Sequence, residues 1–224
     1  MINRFVFIER KTDISLDAFR QHWRQVHAPI AAQLPRLRQY TQYDEVGDSL
    51  RGLLLGSKVA IDGIALLAFD TIQDIEAAFT PEIVEALVAD EGHFIGKLEL
   101  VSTVPHLLGK LPEEEGSARR ISLIKRTPGT TLSEFQQRWW HDGGKTGSVP
   151  EGAHACIRNL VIDRGFGRKR DTPYEEFPFD GIEETVMKDG VSGEALSKER
   201  FGRPAMGPYA EELAVFTVKA YPIV

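Results

Sequence analysis

The chain has 224 residues, 42% of them hydrophobic and 27% charged, with a formal net charge of −6. This allows one large domain or two small ones around a buried core, and the acidic balance excludes a general nucleic-acid or anionic-membrane binder. The single cysteine, Cys156, rules out an internal disulfide framework, and the apolar run Phe5–Ile8 is too short for a secretory signal. No stretch approaches the roughly 18 apolar residues of a membrane span, so a cytoplasmic location is expected.

Taken in order, Phe5–Glu9 has strand composition, and Ser15 stands where an N-cap would open a helix. Along that helix Phe19, Trp23, Val26 and Ile30 fall on one face at the 3.6-residue period. Strands are predicted over 37–46 and 63–70, then a helix from Thr71 that breaks at Thr80–Pro81 and adds a turn over 81–89. A closing strand is predicted over 98–108. The stretch 108–118, with Pro, Gly and three successive glutamates, reads as a solvated connector.

The order then recurs. Arg10, Leu16, Phe19 and Trp23 meet Arg126, Leu132, Phe135 and Trp139 at a constant offset of 116 residues. The triplet Asp62–Ile64 returns as Asp180–Ile182, at an offset of 118. Thr131 and Glu134 have the spacing of a capping box, strands are predicted over 155–165 and 181–188, and Ser192 opens a predicted helix over 192–200. Residues 1–107 and 119–224 thus read as two copies of a β-α-β-β-α-β unit, the ferredoxin-like pattern, joined by 108–118. Such a unit leaves one sheet face bare, and pairing two of them covers it.

Among the residues able to carry chemistry, His27 lies toward the predicted helix C-terminus, where carbonyl dipoles would favour its protonated form. It can act as an acid or base there, or simply cap the helix. Taking Phe19 as zero at about 100° per residue, His22 lies at about −60° and His27 at about +80°, so the two are not expected to converge. Tyr40 and Tyr43, three apart in a strand, point to opposite sides, so one of them can face a cleft. Arg10 and Arg126 recur and suit a shared structural role, with an anchor for an acidic substrate group as the alternative for Arg10. Asp62 and Asp180 are read as shaping the turn into the third strand. His93 and His106 are read as loop or edge residues, and 163–181 as a long loop that lids a pocket. No nucleophile elbow, phosphate loop or zinc spacing occurs, so neither a metal nor a cofactor is expected.

The residues Phe19, Trp23, His27, Pro29, Leu34, Pro35 and Leu37 form the pattern F-x-x-x-W-x-x-x-H with a following proline and an L-P-x-L segment. On them the first copy resembles the EthD family of the dimeric α+β barrel superfamily. The second copy follows only through Trp139, and Gly143 stands where His27 would be, so a lost site would be the second one. The resemblance implies two four-stranded sheets forming a barrel with helices outside, built here within one chain and leaving a further homodimer open. It also implies a cleft between one unit's sheet and its helices. The implied function is cofactor-independent acid–base chemistry on a small cyclic, aromatic or lactone-like compound, as isomerase, dehydratase, decarboxylase or cyclase. His27 and Tyr40 would be catalytic, and Arg10, Trp23 and Tyr43 would contact the substrate. The alternatives are a carrier of an apolar small molecule, or a haem protein using His27, His93 or His106.

Overall fold

A computed structural model describes residues 1–45, 53–54, 57–58, 61–112, 118–141, 149–163, 179–189 and 207–224. Gly143, the helix expected over 192–200 and most of the expected lid 163–181 lie outside the described residues.

The first strand, β1 (Ile2–Arg10), sends Phe5 and Phe7 to one face and Val6 and Ile8 to the other, and all four are buried. A strand apolar on both faces needs cover on both, and the fold supplies it. The remaining barrel strands are β2 (Gln39–Glu45), β3 (Gly63–Phe69), β4 (Ile95–Gly109), β5 (Ala118–Arg126), β6 (Ala153–Val161), β7 (Gly181–Met187) and β8 (Ala210–Pro222). They close into an antiparallel barrel in the order β1-β3-β2-β8-β5-β7-β6-β4. A short separate hairpin pairs Leu53–Leu54 with Ser57–Lys58.

Each half has the same internal order, with its fourth strand beside its first and its third between first and second. The length of the fourth strands closes the ring. β4 has 15 residues, pairing with β1 as far as Thr103 and with β6 from Thr103 to Gly109. β8 pairs likewise with β5 and then, from Val218, with β2. Among the described residues, closure leaves the barrel itself without an edge strand for foreign pairing. Since β4 runs to Gly109 and β5 starts at Ala118, the connector is shorter than 108–118.

Inside the barrel Phe5, Phe7, Ile64, Leu66, Val101, Ile121, Leu123, Ile182 and Phe216 form one core. A second core lies outside the barrel, under the helices of the first half. These helices are α1 (Leu16–His22), α2 (Ala28–Ala31), α3 (Ile72–Ala78) and α4 (Pro81–Phe94). The caps expected at Ser15 and Thr71 are present, and Thr80, expected only as a helix break, is a further cap. Ser15 Oγ accepts from Ala18 N at 3.1 Å, Thr71 and Asp74 form a capping box, and Thr80 caps α4. In the second half Thr131 and Glu134 form the expected box ahead of α5 (Leu132–Phe135). The 81–89 turn extends into a helix of 14 residues, so His93 is helical rather than in a loop, and His106 lies within β4.

The repeated residues interlock in the same way in both halves. Asp62 accepts from the Arg10 backbone N–H at 2.9 Å and pairs with its Nε at 3.3 Å, while the Arg10 guanidinium donates to the Ile14 carbonyl at 2.5 Å. Asp180 accepts from Arg126 N at 2.8 Å, and the Arg126 guanidinium donates to the Thr130 carbonyl at 2.9 Å. The glycine after each aspartate makes room for the tryptophan. A Cβ on Gly63 would stand 2.6 Å from Trp23 Cζ3, and one on Gly181 would stand 2.4 Å from Trp139 Cη2. Gly63→Ala should therefore lower the unfolding free energy by about 1–3 kcal/mol through forced displacement of a buried indole. Urea denaturation checks this, and a cost below about 0.5 kcal/mol would refute the fit.

Candidate active site

The first-half helix leaves the α pattern after His22. Trp23–His27 is a π turn, in which Ala28 N–H bonds the Trp23 carbonyl five residues back. The same carbonyl accepts from Gln42 Nε2 at 3.1 Å, a side chain of β2. The second half repeats the device. Gln136–His141 is again a π turn, and Arg158 on β6 donates to the Trp139 carbonyl at 2.8 Å. No proline follows there at the position matching Pro29, so the turn belongs to the shared scaffold.

The widened turn overturns two expectations. Val26, expected on the buried face, is 45% exposed, and His27 takes the inward place at 7%. Residues five apart share a face in a π turn, so His22 and His27 converge where the α period separates them. Both reach one carboxylate on α4: His22 Nε2 lies 2.8 Å from Asp90 Oδ1, and His27 Nδ1 lies 2.9 Å from Asp90 Oδ2. Asp90 is 8% exposed and shares its helix face with buried Leu87 and Phe94. The Phe94 ring packs 5.3 Å from His27 and 4.7 Å from His22, between ring centroids.

A carboxylate at Nδ1 can only accept, so Nδ1 of His27 carries the proton and Nε2 keeps its lone pair in the neutral ring. Nε2 has no partner among the described residues, and the ring lines a cavity of about 250 Å³. This cavity lies between the outer sheet face of the first half and its helices. Its floor is Arg4, Val6 and Ile8 of β1 with Tyr40, Ala65, Leu67, Leu98 and Leu100, and Trp23, Ala31, Leu34, Leu87 and Val88 cover it.

Burial lowers the His27 pKa, a loss that the Asp90 hydrogen bond and charge only partly offset, and the His22 charge lowers it further. The sequence reading put His27 at a helix end that would favour its charged form. The helix instead continues to Ala31, so His27 meets no free carbonyl end and desolvation prevails. A base with a depressed folded pKa contributes stability that is complete above about pH 6.5, its unfolded value, and is lost as pH falls through the folded one. The unfolding free-energy difference between wild type and His27→Gln should accordingly shrink from about pH 8 to about pH 5. A difference that grows toward acid would contradict the burial argument.

The other expected site residues divide. Tyr40 and Trp23 line the cavity. The Tyr40 hydroxyl accepts from Gln42 Nε2 at 2.8 Å, and burial pushes its pKa up to about 12, so it stays a phenol able to donate. Tyr43 points the opposite way, into the barrel, where its hydroxyl donates to Glu184 at 3.1 Å and Arg119 pairs with the same carboxylate. Arg10 is held in the Asp62 latch. The structure brings neither Tyr43 nor Arg10 to the cavity. Asp90 and Arg4 went unnoticed in the sequence. Asp90 carried one signal, a carboxylate at helical spacing with Leu87 and Phe94. Arg4 carried another, a cation in the outward strand register of Val6 and Ile8.

The matching face of the second half is built differently. Ser122 and Glu183 stand where the first half has Val6 and Ala65. Arg158 Nε pairs with Glu183 at 3.3 Å, and Arg120 Nη2 donates to Glu212 at 2.7 and 2.8 Å. Buried ion pairs thus replace the apolar floor.

No group of three or more metal-ligating side chains is assembled among the described residues. The histidines also fit a haem poorly. His93 and His106 do not line the cavity, and their Nδ1 atoms meet the Asp90 and Trp140 carbonyls at 3.2 and 2.6 Å. His27 faces a space of about 250 Å³, below the ~300–1,000 Å³ of drug-sized ligand pockets and too small for a porphyrin. Among the described residues no helix is long and apolar enough to cross a membrane.

Residues 11–97 match the family model of the EthD domain. Three solved structures share the whole architecture at low identity. An anthrone oxidase-like protein is 11% identical over 99% of this chain and 93% of its own, with a TM-score of 0.64. A protein from Lactobacillus acidophilus NCFM, provisionally named a monooxygenase, is 10% identical over 100% of this chain and 94% of its own, with a TM-score of 0.53. A third, provisionally named a chlorite dismutase, is 10% identical over 99% and 95%, with a TM-score of 0.52. At such identities the likeness establishes the fold, an α+β barrel with helices outside. No curated protein matches the chain.

Proposed function

With residues 11–97 forming an EthD domain, we propose that the chain is an acid–base enzyme acting on a small cyclic, aromatic or lactone-like compound held in the first-half cavity. The observation that carries this reading is the Asp90–His27 pair, which leaves a neutral, depressed-pKa imidazole with its Nε2 lone pair toward an apolar cavity. In the proposed step Nε2 takes a proton from a C–H or O–H acid of the substrate, leaving an enolate or phenolate. Asp90, already bonded to Nδ1–H, stabilises the imidazolium that forms. Tyr40 would donate its O–H to the developing oxyanion. Returning the proton to another carbon completes an isomerisation, and returning it to a departing hydroxide completes a dehydration. Proton transfer of this kind draws only on groups that the chain supplies. The names of the oxygenase-like neighbours suit the same first step, since a carbanion is also what an oxidation of an anthrone-type ring would start from.

We also read 1–107 and 119–224 as two copies of one unit, supported by the shared strand order, the repeated Arg–Asp–Trp–Gly interlock and the two π turns. On this reading only the first copy keeps a catalytic cleft.

The test is deuterium wash-in. Hydroxyaromatic acids and lactones are incubated with the protein in D₂O and followed by NMR. Wild type should exchange an acidic hydrogen of at least one compound, and His27→Ala should slow that exchange by about 10²–10⁴-fold. A compound that binds tightly yet neither exchanges nor converts would favour the carrier reading, which the largely apolar lining also suits.

A further inference from the structure

Arg4 is the cation that β1 puts into the cavity lining. Its guanidinium lies over the Phe79 ring, 5.0 Å from the centroid. No described residue gives it an ion pair or hydrogen bond, and its Nε is buried without a partner. Exposed Asp163 acts on it only through charge, and desolvation outweighs that contact, lowering the Arg4 pKa. A cation held in an apolar wall without a carboxylate is costly unless something else neutralises it.

The lining also includes an acidic side chain, Glu91, well away from Arg4. Arg4 pairs across the sheet with Leu67 and Ser102, whereas Ile95, beside Glu91 in the lining, pairs with Arg10. Six residues of strand, about 20 Å, separate the two levels. Glu91 and Lys97 line a neighbouring pocket at the far level.

We infer that Arg4 is the anchor for an anionic group, and that the ligand of this cavity is a small aromatic or alicyclic carboxylate, or an equivalent oxyanion, whose charged end lies on Arg4 while its ring lies along the apolar floor toward His27. This rests on the cavity being the ligand site, as proposed above, and adds which substrates it selects. The guanidinium fork matches a carboxylate in two parallel bonds.

The experiment uses two matched ligands, 1-naphthoate and neutral 1-naphthamide, titrated calorimetrically into the full chain. Wild type should bind naphthoate at least about tenfold more tightly. Arg4→Met should bring the ratio close to one while leaving naphthamide affinity within about threefold. Arg4→Gln, which keeps length and polarity without charge, repeats the test should Arg4→Met not fold. His27→Gln should leave the ratio unchanged, and since no turnover is measured, a failure of the deuterium experiment does not touch this one. A wild-type ratio near one overturns the assignment. So does a ratio that survives loss of the Arg4 charge, one abolished by His27→Gln, or no binding of either ligand at about 1 mM.

Discussion

Replacing Asp90 with asparagine should cost nearly as much turnover as removing His27, about 10²–10⁴-fold in kcat, with KM little changed. Asp90 does not line the cavity, so it has no part in holding substrate. Its work is done through Nδ1 of His27, 2.9 Å away. A carboxylate there can only accept, which fixes the proton on Nδ1. An asparagine amide can donate instead, which moves the ring proton to Nε2 and turns a base into a spectator. The opposite pattern, a raised KM with unchanged kcat, would mean that Asp90 shapes the pocket and nothing more. His22→Gln should act in the same direction but more weakly, less than about tenfold, because Oδ2 keeps its bond to His27 when Oδ1 loses its own.

Trp139→Ala should remove about 3–5 kcal/mol of unfolding free energy. This is a large share of the roughly 5–15 kcal/mol available to a domain. Trp139 is 1% exposed, stacks on Phe135 at 5.0 Å between centroids, and rests on the space left by Gly181. Ile124, Leu160 and Ala210 complete that small core. With few neighbours to collapse inward, the void stays open. Urea unfolding measures the loss, and a cost near 1 kcal/mol would show that the second-half helix is not pinned by its tryptophan. Trp23→Ala should cost a similar amount of stability and also open the first-half cavity, since Trp23 serves as scaffold and lining at once.

Much of the architecture was legible because several residues recur at one spacing along the chain. The recurrence of Arg10, Phe19, Trp23 and Asp62 in the second half marks residues that hold any such unit together, and in both halves they form the same latch of strand, turn and helix. N-caps at Ser15, Thr71 and Thr131 follow from local chemistry that needs no tertiary knowledge. The site was less legible, for two physical reasons. A fixed 100° per residue cannot register a turn with one extra residue, so His22 looked irrelevant and Val26 looked buried. The turn is set from outside the helix by Gln42, on a strand that arrives later in the chain. Asp90 lies 63 residues beyond His27, and only packing of α4 against the first helix brings them together. Arg10 attracted notice because it recurs, yet its recurrence is structural. Arg4 has a counterpart in Arg120, and only the partners separate them, a cavity wall for one and Glu212 for the other.

The central claim is the state of one imidazole, and ¹⁵N NMR of the histidine side chains reads it without any substrate. The His27 signal, identified by its loss in His27→Gln, should show a neutral ring at neutral pH with the proton on Nδ1, titrating below the ordinary imidazole value of about 6.5. An imidazolium at neutral pH, or a neutral ring with its proton on Nε2, would contradict the assignment of His27 as a base oriented by Asp90.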